Sequence, residues 1–267
     1  MSSRCVCLLL PALCSCIGST GGEVVSFDAA AAGPSQATAG VPFEFDESYM
    51  NTVWHVSLTT ATMHIGALYL NRVKPVSGSG NVPCILAPTT YVAEVIEGFD
   101  VDLLSPTPQP FPVRGDGSTI PALTAQIWLT SVPINVVNDP HPVLQLVGTA
   151  ESATDARAFT ASITIASNRV PAGSSQAGEK TICDERIVTP ILPAPLALTT
   201  TGSLLLRIDP TSLFENVDFS SLPTAPDGYA FSNGDPISGI DPDQASKNLY
   251  QNLHKAIGGL YSLAWVQ

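Results

Sequence analysis

The sequence predicts an all-β fold: an antiparallel β-sandwich or partly open barrel with one short C-terminal helix. Three observations lead there. Several runs alternate apolar and polar residues with a period of two. Turn residues punctuate these runs, with 23 Pro and 20 Gly among 267 residues. Helical spacing of apolar residues stands out in one place, near the end of the chain. Hydrophobic residues make up 45% of the chain and charged ones 13%, enough apolar side chain to fill the core of a single β-rich domain over residues 24–267.

The elements follow in order. Val24-Val25-Ser26-Phe27 opens an extended segment, and an Ala/Gly-rich stretch leads from it to Gly40. The most regular stretch is "VWHVSLTTATMHIGALYL". Its alternation places Trp54, Val56 and Leu58 on one face and His55, Ser57 and Thr59 on the other, a half-buried strand. Met63, Ile65, Ala67 and Tyr69 then share a face and suggest a neighbouring strand. "PVSGSGNVPC" reads as a loop. The runs "YVAEVIEGFDVDLL", "LTAQIWLTSV", "PVLQLVGTAES", "RAFTASITIAS" and "GSLLLRIDP" are further strands. "LVGTAES" and "RAFTASITI" pair as a hairpin with Thr154-Asp155 near its tip. The predicted helix spans Gln244 to Ile257, with Asp243 as N-cap, Leu249, Leu253 and Ile257 at intervals of four, and Gly258 as its stop. "LYSLAWV" closes the chain as a final paired strand.

Charge narrows the function classes. The formal charge is −12. Such a surface repels phosphate backbones, so nucleic acid is excluded as a partner class, and cations or basic partners are favoured. With Cys5 just upstream, the opening stretch "CLLLPALCSC" frames an apolar run with two Cys-x-Cys pairs, Cys5-Val6-Cys7 and Cys14-Ser15-Cys16. Eight apolar positions from Val6 to Leu13 are too few to span a bilayer. Arg4, the apolar run and the small residues after it form a signal peptide over residues 1–15. Leu13-Cys14-Ser15-Cys16 resembles the bacterial lipobox, which makes Cys16 the lipidated residue and residues 16–23 a Gly/Ser-rich tether. Ile17, rather than Asp, after that cysteine favours the outer membrane over the inner one. Two cysteines are then left, Cys84 and Cys183, and in an oxidising compartment the simplest expectation is a disulfide.

Three segments carry a family resemblance. "WHVSLTTATMHIGALYL" resembles a Gly-Trp-x-Val-x-Leu-x-x-Ala-x-x-x-x-Gly-x-Leu-Tyr pattern, with Val53 where the pattern often has Gly. "FDVDLLSPTPQPFP" resembles a Val-Asp-Leu-Leu-x-Pro-x-Pro-Gln-Pro element, and "LLLRIDPTSLFENVDFSSL" an Arg-x-Asp-Pro-x-x-x-Phe-x-x-Val-Asp-Phe element. Together they are similar to uncharacterised predicted lipoproteins of myxobacteria and their relatives. The resemblance implies a single-domain envelope lipoprotein and no particular activity.

Motifs for catalysis are missing. His-Glu-x-x-His, Gly-x-Ser-x-Gly, a Walker A loop and Gly-x-Gly-x-x-Gly do not occur. No catalytic residue or cofactor is expected. The preferred reading is a non-enzymatic envelope lipoprotein that binds or scaffolds, with the membrane (through its lipid) and an envelope protein or small ligand as partners. The alternative is a periplasmic copper or zinc protein. Its candidate ligands are Met63, His64 and His55, because a thioether beside an imidazole suits copper, although neighbours on a strand face opposite ways. His141, in the turn "NDPHP", and His254, on the helix, complete the histidines. Asp235, Asp241 and Asp243 crowd a loop of the kind calcium uses, without EF-hand spacing. A secreted hydrolase is the third reading. Trp54, Trp128 and Trp265 are expected in the core rather than on a sugar-binding platform.

Overall fold

The computed structural model describes residues 22–73, 91–133, 139–165, 186–233 and 243–267. Cys16, Cys84, Cys183, Asp235 and Asp241 lie outside them, so the expected lipid anchor and disulfide do too, as do two of the three aspartates of the calcium-type loop.

In chain order the first strands are β1 Val24–Ala32, β2 Phe43–Tyr49, β3 Thr52–Ile65, β4 Ala67–Asn71, β5 Tyr91–Val95 and β6 Phe99–Asp102. Next come β7 Gln109–Pro110, β8 Gly115–Ser118, β9 Ala122–Trp128, β10 Leu144–Glu151 and β11 Ala156–Ile163. The rest are β12 Ile187–Val188, β13 Ile191–Leu196, β14 Ser203–Ile208, β15 Thr224–Ala225, β16 Gly228–Phe231 and β17 Tyr261–Val266, with helix α1 at Gln244–Leu253 between the last two. Ten strands form one sheet, in the order β12-β9-β4-β5-β8-β1-β14-β17, with β13 also on β9 and β7 on β1. Seven form the other, in the order β15-β16-β11-β10-β3-β2, with β6 also on β3. The two inner faces share one apolar core. This is the predicted all-β architecture with its short C-terminal helix.

Strand β3 is the spine of the smaller sheet. Trp54, Val56 and Leu58 are buried as the alternation predicts, and so are Ala61, Met63 and Ile65. The change of phase between Leu58 and Ala61 is a β-bulge. Gly148 of β10 faces Leu58 and Val147 faces Thr60, which leaves Thr59 unpaired. Beyond the bulge the outward positions are therefore Thr60, Thr62 and His64.

The sequence element "RIDPTSLFENVDF" closes the core beside this sheet. Asp209 and Asp218 cap two short 3-10 turns, Pro210–Phe214 and Phe219–Ser221. Phe214 and Phe219 stack at 5.8 Å, and Phe159, Phe231 and Trp54 meet them edge-on or tilted.

Three expectations are corrected. First, two pairings are parallel, β1 with β14 and β11 with β16. Second, α1 ends at Leu253 rather than Ile257; the N–H groups of His254 and Lys255 turn back to the carbonyls three residues earlier, and Ile257 is left exposed. Asp243 caps the helix as expected, accepting from Ser246 N at 2.8 Å and Ser246 Oγ at 2.7 Å. Third, "YVAEVIEGFDVDLL" is two strands in different sheets, β5 and β6, broken at Ile96-Glu97-Gly98.

That break has a physical partner. Strand β3 also leaves its sheet, at Gly66, and continues as β4 in the other. The two crossings touch backbone to backbone: a Cβ on Gly98 would lie 2.3 Å from Ile65 O and 2.4 Å from Gly66 Cα. A Cβ on Gly66 would lie 1.9 Å from Thr130 O. Gly98→Ala is expected to destabilise the fold by about 2–3 kcal/mol, because both clashing groups are backbone and cannot rotate away. Urea unfolding reads this directly, and a loss below about 0.5 kcal/mol contradicts the proposed close approach.

Candidate metal centre

Strands β3 and β6 are antiparallel and place His64 directly opposite Asp100. Strand β10 lies on the other side of β3, and the backbone N–H of His64 reaches Val143 O, just before β10 begins. His141 lies two residues before Val143. Two neighbours of one strand therefore bring Asp100 and His141 to the outward face of His64.

The geometry is tight. His64 Nδ1 lies 2.7 Å from Asp100 Oδ1, and His141 Nε2 lies 3.1 Å from the same oxygen. The two imidazole rings meet edge-on with centroids 4.5 Å apart. One ligand atom from each of the three residues falls within 4.8 Å of the others. Donors on a common ion at about 2.0–2.1 Å sit about 2.9–3.4 Å apart, and the two contacts to the carboxylate lie within a few tenths of an ångström of that range, in a group whose ligand atoms all fall within 4.8 Å of one another. The side chain of His64 is 9% exposed, that of His141 35% and that of Asp100 48%. Burial pushes the Asp100 carboxyl upward, but the hydrogen bonds from His64 and His141 outweigh it and hold the group below the usual carboxylate range.

His141 is held by a second carboxylate. Asp139 is 3% exposed and accepts four hydrogen bonds: from Ser131 Oγ at 2.7 Å, Ser131 N at 2.9 Å, Thr130 Oγ1 at 3.0 Å and His141 N at 3.1 Å. Thr130 and Ser131 follow the segment that Gly66 admits, and Gly66 N donates to Trp128 O at 2.7 Å. A cavity of about 400 Å³ lies beside this segment, walled by His64, Tyr69, Ile96, Trp128 and Val132.

The structure sorts the sequence-predicted ligands. His64 belongs to the centre. Met63 is fully buried on the opposite face, where its sulfur accepts from the Tyr261 hydroxyl at 3.7 Å. His55 lies nine residues back along β3, about 30 Å away at the rise of a strand. It donates to Asp46 Oδ1 at 2.9 Å, and that bond, with the carboxylates around it, raises its pKa. His254 bonds the carbonyl of Tyr250. Asp100 and His141 were not among the expected ligands. Asp100 sat unmarked in a strand, and His141 sat in a turn. The available signal was the alternation in "FDVD" and the rigid Asp139-Pro140-His141-Pro142 frame. The Ser131 hydroxyl donates to Asp139 and to neither imidazole. Of the tryptophans, Trp54 is in the core, and Trp128 and Trp265 are partly buried.

No family model and no curated protein matches this sequence. Among solved structures, MbnP from Methylosinus trichosporium is similar at 10% identity, over 91% of this chain and 98% of that one, with a TM-score of 0.40.

Asp139, like Asp100, is held below the usual carboxylate range. Burial raises it, and the hydrogen bonds from Ser131, His141 and Thr130 more than offset that. A lowered folded value contributes stability that is complete above the unfolded value of about 3.9 and is lost as the pH falls through the folded one. Asp139→Asn should cost about 2 kcal/mol at pH 7, since it weakens four bonds to a buried acceptor. In urea unfolding the gap from wild type should shrink as the pH drops below about 4. A gap independent of pH contradicts this role.

Proposed function

We propose that this protein binds one transition-metal ion through His64, Asp100 and His141, and that this is the binding role expected of it at the cell envelope. The observation that carries the reading is the convergence of two imidazoles and a carboxylate from three separate chain segments, with their ligand atoms within 4.8 Å. Paired imidazoles with a carboxylate suit zinc and copper. The formal charge of −12 adds a general attraction for cations.

Isothermal titration of the purified, metal-stripped protein with Zn(II) or Cu(II) is expected to give one equivalent bound. His64→Ala and His141→Ala should each weaken binding by at least about 100-fold, and Asp100→Asn by about 10- to 100-fold. His55→Ala should leave it unchanged. Binding below one equivalent, or equal binding by the His64→Ala protein, refutes the assignment. Circular dichroism and unfolding midpoints of each variant separate lost ligands from lost fold.

A further inference from the structure

Resting on that metal reading, we infer that the centre takes a divalent ion, keeps an exchangeable coordination position on its solvent side, and does not hold cuprous copper. Among the described residues the donor set contains two ring nitrogens and one carboxylate oxygen and no sulfur. Cuprous copper favours thiolates and thioethers, whereas imidazole and carboxylate suit divalent ions. The nearest sulfur in sequence, Met63, cannot turn to the site. Strand alternation points it into the core, where it is 0% exposed and bonded by Tyr261.

The open position follows from ligand count and burial. Three protein donors leave a four-coordinate ion one ligand short. No fourth His, Cys, Asp or Glu joins the group among the described residues. The ion would rest on a buried imidazole, His64, and face outward past His141 and Asp100, which are four to five times more exposed. Water or a small anion completes the shell there. A centre of this form exchanges its outer ligand and passes its ion to a chelator without the fold opening, unlike a closed four-ligand structural site.

Azide is the probe. Added to the copper(II)-loaded protein, it is expected to produce a new charge-transfer absorption and a changed electron paramagnetic resonance spectrum. Competition with bicinchoninate reads cuprous copper. Wild type and His64→Ala should take up equal amounts, within about threefold, while their copper(II) affinities differ by at least about 100-fold. An azide-silent copper(II) spectrum overturns the exchangeable position. Cuprous binding that falls with His64→Ala as steeply as cupric binding does overturns the selectivity. In both cases the metal reading stands. If neither zinc nor copper(II) binds the wild type, it is the metal reading itself that fails.

Discussion

Backbone packed against backbone at Gly66 and Gly98 is the contact on which the candidate centre depends. Strands β3 and β5 each reach the end of one sheet's territory and pass to the other, as β4 and β6, at the same point. Only residues without a Cβ allow the two crossings to touch, because a methyl group on either would enter a neighbouring backbone. The crossing puts β6 alongside the end of β3 and so sets Asp100 opposite His64. It also lets the chain after β9 lie across Gly66, where Thr130 and Ser131 bind Asp139 and thereby fix His141. Three ligands on three segments trace back to one place where two segments change sheets.

The arrangement divides labour between rigid and open parts. His64 is set by strand pairing on both sides and is buried. His141 sits between two prolines on a loop that Asp139 ties down, so it loses little freedom on binding an ion. Asp100 faces solvent more than either imidazole and lies between the two. Its charge is favoured by the same hydrogen bonds that would give way to a metal. A preformed and partly open trio of two imidazoles and a carboxylate suits the cation binding proposed for it. The chain's net negative charge adds long-range attraction for cations that salt would screen.

The fold was largely legible because β-structure writes itself locally. Alternation in β3, the hairpin of β10 and β11, the cap at Asp243 and the closing strand β17 all depend on neighbours in sequence. Structure and sequence pattern part where geometry is nonlocal. "YVAEVIEGFDVDLL" has one continuous pattern, and nothing in it announces that Gly98 must meet Gly66. The bulge at Thr59 shifts which residues of β3 face out and is set by a partner strand, not by the stretch itself. The centre suffered most. His64 was singled out, but with Met63 and His55, its neighbours along the chain, rather than with Asp100 and His141, its neighbours across strands. Strand alternation already argued against Met63. The partners required knowing which strands flank β3, and a single sequence does not contain that pairing. The elements "FDVDLLSPTPQPFP" and "LLLRIDPTSLFENVDFSSL" have structural work here: the Gln109 side chain accepts from Asp102 N and donates to Asp102 O, and Arg207 donates to Gly33 O and Pro106 O.

Anomalous diffraction at the zinc edge from crystals of the zinc-loaded protein would locate the ion. One peak is expected, about 2.0–2.2 Å from His64 Nδ1, Asp100 Oδ1 and His141 Nε2. Density at His55 and Asp46, with none between His64 and His141, would contradict it.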